Sequence, residues 1–202
     1  MSNFNPKDFY FHQAKKDGYV ARSAYKLQEI DDKFLLFDKN ISNILDIGCA
    51  PWSRLQFSAQ KMQSLSKNKD YKIIWLDLKR VNIKLSNTNT YEADLMNESD
   101  IAKILKIESV EKFDLIISDI APNTIGLKNI DSMRSIWLLE KTIWIYDKYL
   151  SENGKFAIKI FMWPGFDEFV KDLKNKYWAS KIRIFKPKSC RDISKEIYIV
   201  KI

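Results

Sequence analysis

Four carboxylates recur at one kind of place in this chain. Asp46 in ILDIG, Asp77 closing KIIWLD, Asp94 in YEADL and Asp119 closing FDLIISD each stand at or near the carboxyl end of a short apolar or β-prone segment. Acids are poor choices for buried strand ends unless a ligand or cation meets them, so a row of four beside one crevice predicts hydrogen bonding to sugar hydroxyls, an amine and a positive charge. Two further residues break an apolar context: Lys159 interrupts AIKIF and Glu196 opens EIYIV. A lysine buried beside such a crevice loses hydration, which favours its neutral, proton-accepting form, while neighbouring carboxylates favour the charged one.

The element that must position these groups is Ile44 to Ser53, ILDIGCAPWS, a short apolar strand running into a tight turn and then a helix. In open α/β sheets the first such turn lines the crevice beyond the carboxyl ends of the strands, where nucleotide-like ligands bind. The turn lacks the G-x-G-x-x-G spacing that cradles a pyrophosphate, which disfavours a dinucleotide. An acid followed by Gly48 suits instead a ligand with ribose hydroxyls and a cationic amino-acid tail, and S-adenosylmethionine has those features.

The rest of the chain alternates. FYFHQAKKDGYVARSAYKLQEIDDKF reads as two helical pieces broken at Gly18, and in the second Leu27, Ile30 and Phe34 form one apolar stripe. Spacing alone assigns Lys26 on the neighbouring face to solvent and to a pair with Glu29. A helix is predicted over 52–63, a strand over 72–77, a weaker strand in TNTYEADL and a helix SDIAKILKI opened by Ser99. FDLIISD is a continuous apolar run, as a central parallel strand requires. The longest helix is predicted over 131–150, with Met133, Ile136, Leu139, Ile143 and Leu150 on one face, Trp137 and Trp144 packed, and Gly154 beyond its end. A strand over 155–161, a helix over 166–177 and strands over 181–185 and 196–202 complete the chain. This is an α/β pattern: a doubly wound, Rossmann-like, mostly parallel seven-stranded sheet with an antiparallel last strand. That strand starts at the edge where the parallel strands end, which places Glu196 near Lys159 and Asp119. With no linker-like segment, residues 1–202 are expected to form one domain, with 1–40 a helical extension packed on it.

Composition narrows the chemistry. Residues 1–170 carry nearly balanced charge, whereas residues 171–202 carry 10 basic and 3 acidic side chains, so the formal net charge of +8 sits almost wholly in this segment. Such a concentrated basic stretch is the footprint of a polyanion surface, most simply nucleic acid. The single histidine, His12, and two distant cysteines, Cys49 and Cys190, argue against histidine triads, a disulfide framework and a zinc site. Apolar runs fall far short of the roughly 18 residues a membrane helix needs, and no signal architecture opens the chain, so a cytoplasmic protein without membrane contact, and a monomer, is expected.

The motifs QAKKDGYVARSAYKLQEI, LDIGCAPWS, EADL, SDIAPNTIG, FAIKIF, GFDEF and KPKSCRDISKEIYIV run nearly end to end. Together they make the chain similar to the FtsJ-type (RrmJ-like) large-subunit ribosomal RNA 2′-O-ribose methyltransferases. The resemblance implies the Rossmann-like S-adenosylmethionine methyltransferase fold and a catalytic Lys-Asp-Lys-Glu tetrad of Lys26, Asp119, Lys159 and Glu196. It thereby replaces the surface reading of Lys26. The cofactor positions that match are Trp52, Asp77, Asp94 and Asp119, beside Asp46 and Gly48 as read from the turn itself. In the family the turn reads D-x-G-x-x-P-G-G-W-S; here two glycines before Trp52 are absent, so Cys49, Ala50 and Pro51 are expected to line the site. The implied substrate is an A-loop uridine ribose of 23S-type ribosomal RNA, in the large ribosomal subunit or its precursor. Lys15, Lys16, Arg22, Lys181, Arg183, Lys186, Lys188 and Arg191 would hold phosphates. The tetrad chemistry also suits a transfer RNA or an mRNA cap, and a non-catalytic RNA-binding assembly factor is the alternative of a different class.

Overall fold

The computed structural model describes residues 8–48, 52–66, 70–79, 83–122, 128–162, 165–191 and 194–202. Seven strands form one sheet: β1 (Asn43–Ile47), β2 (Lys72–Asp77), β3 (Thr88–Glu92), β4 (Phe113–Ser118), β5 (Leu150–Phe161), β6 (Ile182–Phe185) and β7 (Glu196–Lys201). Their order is β3-β2-β1-β4-β5-β7-β6. β3, β2, β1, β4 and β5 are parallel neighbours, and β7 runs antiparallel to both β5 and β6. The chain winds outward from β1 toward β3 and then crosses to β4, so the topological switch point lies between β1 and β4. Gly48, just past β1, adopts φ +66°, and a Cβ there would stand 2.4 Å from Ile120 Cγ2 just past β4. Only glycine lets the two strand ends approach this closely.

The sheet is covered on both faces, and the period of two along each strand decides what each face carries. Leu45, Ile47, Leu76, Ile116, Phe156 and Ile158 pack with α4 (Glu98–Glu108), α5 (Lys128–Tyr149) and α6 (Phe166–Tyr177). The alternate residues Ile44, Trp75, Leu115, Ile117, Ala157 and Tyr198 pack with α2 (Ser23–Phe34) and α3 (Ser53–Leu65). Asp46, Asp119, Lys159 and Glu196 share the parity of this second set. α1 (Phe9–Lys16) precedes α2, with Asp8 capping it by accepting from the Phe11 N–H at 3.1 Å. Asp31 of α2 is buried, accepts from the Phe37 N–H at 2.9 Å and pairs with Lys61 of α3 at 2.8 Å, fastening the two helices side by side.

Three local expectations are corrected. α4 is opened by Asn97, whose side chain accepts from the Asp100 N–H, rather than by Ser99. α5 runs straight into β5, which starts at Leu150, so Gly154 lies within the strand, where an added Cβ would strike the Leu150 side chain at 2.7 Å. The buried stripe of α5 is Ser135, Leu139, Thr142, Ile145, Tyr146 and Tyr149, while Met133 and Trp137 are exposed. The difference is rotational: Thr142 sits inward with its hydroxyl donated to the Leu138 carbonyl at 2.9 Å, and Ser135, seven residues earlier, shares its face.

Candidate active site

β5 and β7 are in register such that Phe161 pairs with Glu196 and Lys159 with Tyr198. The reversal of β7 thus brings its first residues beside the last residues of β5, and α2 lies over the same edge. Lys26 Nζ of α2 meets Glu196 Oε1 at 2.6 Å. Lys159 Nζ meets Asp119 Oδ1 at 3.0 Å and also donates to the Asp119 carbonyl at 2.9 Å. The Tyr198 hydroxyl lies between the two pairs, 3.0 Å from Glu196 Oε1 and 3.3 Å from Asp119 Oδ1. The four tetrad positions are therefore assembled from α2, β5, β7 and the residue following β4.

The electrostatics favour an ionised Asp119. Burial pushes its carboxyl pKa up, but Arg54 first, then Lys159 and Lys26, more than offset this and hold it well below the usual carboxylate range. Tyr198 moves the other way: burial, then Asp119 and Glu196, push its hydroxyl well above the usual value, so it stays a donor. Cys190 stands 3.7 Å from Glu196 Oε1, and burial followed by Glu196 pushes its thiol up to about 12.

Beside the tetrad a cleft of about 310 Å³ is lined by Gly48, Asp77, Asp94, Asp119, Ile120 and Lys159, with Leu95 and Leu138 adding apolar wall. This volume falls within the roughly 300–1,000 Å³ of small-molecule sites. Asp77 and Asp94 turn back on their own loops, Oδ1 of each accepting from the N–H of Lys79 and of Met96 at 2.9 Å. Two carboxylates that can accept from hydroxyls and an amine, beside aliphatic walls for a purine, form a lining that suits S-adenosylmethionine.

Other expected site residues are placed differently. Asp46 does not line this cleft: it is fully buried, and its Oδ1 accepts from Arg54 Nη2 at 3.0 Å. Its position on β1 points it to the face covered by α3, not to the strand end. Trp52 packs against the core beneath α2 and α3 and is not part of the cleft wall. Cys49, Ala50 and Pro51 lie outside the described residues. Glu29 does not pair with Lys26; it accepts the N–H groups of Lys188 at 2.5 Å and Ser189 at 2.9 Å.

The basic set divides. Lys186 and Lys188 are exposed on the loop after β6, at the tetrad's edge of the sheet, and Lys15 and Lys16 are exposed at the end of α1. Arg22 is occupied structurally, bonded to the Ser189 carbonyl and paired with Asp8. Arg183 is exposed on β6, and Arg191 is half-buried in the loop before β7. Lys181 lies at the opposite edge, just before β6, where it lines a second cleft with Tyr146, Leu150, Tyr177, Trp178 and Lys201.

Sequence reasoning missed Arg54 and Tyr198. The signal for Tyr198 was its shared parity with Glu196 in EIYIV; for Arg54 it was the need of Asp46, on a covered face, for a buried cation in the next helix.

The family model described as FtsJ-like methyltransferase matches residues 19–202. The chain is 37% identical over 199 residues to "Ribosomal RNA large subunit methyltransferase E" of Bdellovibrio bacteriovorus, covering 98% of this chain and 96% of that protein. It is 36% identical over 193 residues to the protein of the same name from Wolbachia pipientis, covering 96% and 93%. Among solved structures, a Plasmodium falciparum protein described as a ribosomal RNA methyltransferase superposes with TM-score 0.74 at 29% identity, covering 91% of this chain and 97% of that one. Human methyltransferase-like protein 13 in complex with SAH shares the fold, with TM-score 0.55 at 11% identity, covering 87% and 80%.

Proposed function

The chain belongs to the FtsJ-like methyltransferase family, and on that premise we propose that it methylates a ribose 2′-hydroxyl of large-subunit ribosomal RNA, at an A-loop uridine, with S-adenosylmethionine as donor. The observation that carries this reading is the pair of ion pairs, Lys26–Glu196 and Lys159–Asp119, joined by Tyr198, with Asp119 and Lys159 also lining the acidic cleft. The domain is taken as residues 1–202, with residues 1–40 supplying Lys26 and part of the RNA-contacting surface, acting in the cytoplasm as a monomer.

When bound, S-adenosylmethionine supplies an electrophilic methyl on a sulfonium, which needs no metal. Asp77 and Asp94 would hold its ribose and amine at the ends of β2 and β3. Lys159 would stand at the reacting hydroxyl; having first given one proton to solvent, its amine would take the hydroxyl proton as the oxygen–carbon bond forms and the methyl–sulfonium bond breaks. Asp119 keeps the Lys159 amine in one place, gripping it through both a carboxylate oxygen and its own carbonyl. Lys26, fixed by Glu196, would hold the ribose from the α2 side, so that the hydroxyl reaches the methyl at a near-attack distance. Lys186 and Lys188 would meet phosphates flanking the target.

Transfer of labelled methyl to intact large subunits, naked ribosomal RNA and transfer RNA tests the reading. It expects label on large-subunit RNA at a 2′-O position. Label on transfer RNA alone would reject the substrate. Binding of S-adenosylmethionine too weak to detect at millimolar concentration would reject the enzyme.

A further inference from the structure

Arg54, the second residue of α3, is 1% exposed and lies between two carboxylates. Its Nη2 donates to Asp46 Oδ1 at 3.0 Å, and its Nη1 stands 3.6 Å from Asp119 Oδ2. The other Asp119 oxygen, Oδ1, faces Lys159 at 3.0 Å and Tyr198 at 3.3 Å. One carboxylate thus serves two directions, inward to a buried guanidinium and outward to the amine at the cleft.

We propose that Arg54, anchored by Asp46, is a positioning residue for methyl transfer that fixes the rotation of the Asp119 carboxylate so that Oδ1 meets Lys159. The inference rests on the methyltransferase reading above. Packing alone does not call for this arrangement. Burying a carboxylate and a guanidinium together costs desolvation that their attraction roughly repays, and an apolar pair of similar volume would hold β1 to α3 at least as well. What an apolar pair could not do is reach Asp119.

The charged and titratable groups around Asp119 come from every neighbouring element. Arg54 lies on α3, Lys26 on α2, Lys159 on β5, and Tyr198 and Glu196 on β7; Asp46 on β1 and Tyr146 on α5 act on Arg54. Of the influences that keep Asp119 ionised, Arg54 is the largest, ahead of Lys159 and Lys26. Lys159 lines the cleft and Lys26 is placed by this reading at the ribose, so bound RNA would compete for both. Arg54 is at neither place, so its hold on Asp119 persists when substrate arrives.

The test uses the double variant Asp46→Asn/Arg54→Gln, which keeps near-native volume and a hydrogen bond while removing both buried charges, and the conservative Arg54→Lys. The Asp119 carboxyl is followed by carbon-13 NMR in the full chain without RNA, and methyl transfer is measured with saturating cofactor. In the double variant the titration midpoint of Asp119 is expected to rise by about one unit or more. The kcat is expected to fall about tenfold with KM for RNA nearly unchanged, and Arg54→Lys to recover most of both. A folded double variant with an unmoved Asp119 midpoint, or with wild-type kcat, would overturn the inference and leave Arg54 a structural residue. A wild-type protein that transfers no methyl to any RNA fails the methyltransferase reading instead, and the carboxyl titration still decides whether Arg54 governs Asp119.

Discussion

Lys26 and Glu196 stand 170 residues apart in sequence and 2.6 Å apart in space, and the bond between them fastens the helical N-terminal segment to the last strand. Each side chain is only slightly exposed, so the pair is screened little by salt. Lys26→Met should lower kcat by about a hundredfold or more, as expected for a group that orients the reacting hydroxyl. Adding Glu196→Gln should cost much less than the sum of the two single losses, because the pair acts as a unit. Additive losses in that kinetic cycle would show that the two act separately.

Lys159→Ala removes the amine that sits on Asp119. Methyl transfer should drop by about a thousandfold, within the range general acid–base groups supply. Calorimetry should find cofactor binding largely intact, since Asp77 and Asp94 remain in place. Undiminished turnover would remove Lys159 from the reaction.

Asp77 closes β2 at the floor of the cleft. Asp77→Ala should weaken S-adenosylmethionine binding by about 10- to 100-fold, the value of a charge-assisted hydrogen bond or two. Affinity for RNA, read by filter binding, should stay as it was.

The split of the basic residues between the two edges of the sheet gives a contrast within one experiment. Lys186→Glu/Lys188→Glu should weaken RNA binding and reduce the salt slope by roughly 0.7 per lost phosphate contact. Lys181→Glu, at the other end of β6 and about 16 Å from Lys186 at a strand rise of roughly 3.3 Å per residue, should leave both unchanged. Equal effects from the two sets would place RNA along the whole basic segment.

Cys190 should be chemically quiet. Its thiol is pushed up to about 12 by burial and then by Glu196. The raised value means the reactive thiolate is scarce below that pH and becomes available only as pH rises toward it. In a Cys49→Ser background at pH 8, alkylation by iodoacetamide should run at least about a hundredfold slower than for a free cysteine, and unfolding should restore the ordinary rate. Fast labelling of the folded chain would place Cys190 at the surface.

The sheet was legible in the sequence because its central strands β1, β2 and β4 are short apolar runs with an acid at or beside their ends, and the tetrad residues carried motifs specific enough to be matched one by one. Their partners were less so. A lysine's spacing on a helix favours the neighbour one turn away, yet Lys26 finds Glu196 across the fold while Glu29 is taken by the backbone of Lys188 and Ser189. Asp46 looked like a ligand-facing acid because it precedes a turn glycine; strand parity directs it under α3, where Arg54 meets it. Nor does the charge count of residues 171–202 reveal that Lys181 and Lys186, five residues apart, lie at opposite ends of β6, because charge density carries no direction along a strand.

The place of β7 between β5 and β6 also makes both the sheet edge and the site depend on one strand. Among the described strands β6 pairs only with β7, which is made after it, so β6 waits unpartnered until the final strand slides in beside β5. That insertion also delivers Glu196 and Tyr198 to Lys26 and Asp119. Strands β1 through β5 carry the acids of the cleft, and the tetrad is complete only with β7 in place. A chain stalled or cut before β7 would retain the acids of the cleft without the apparatus to use them.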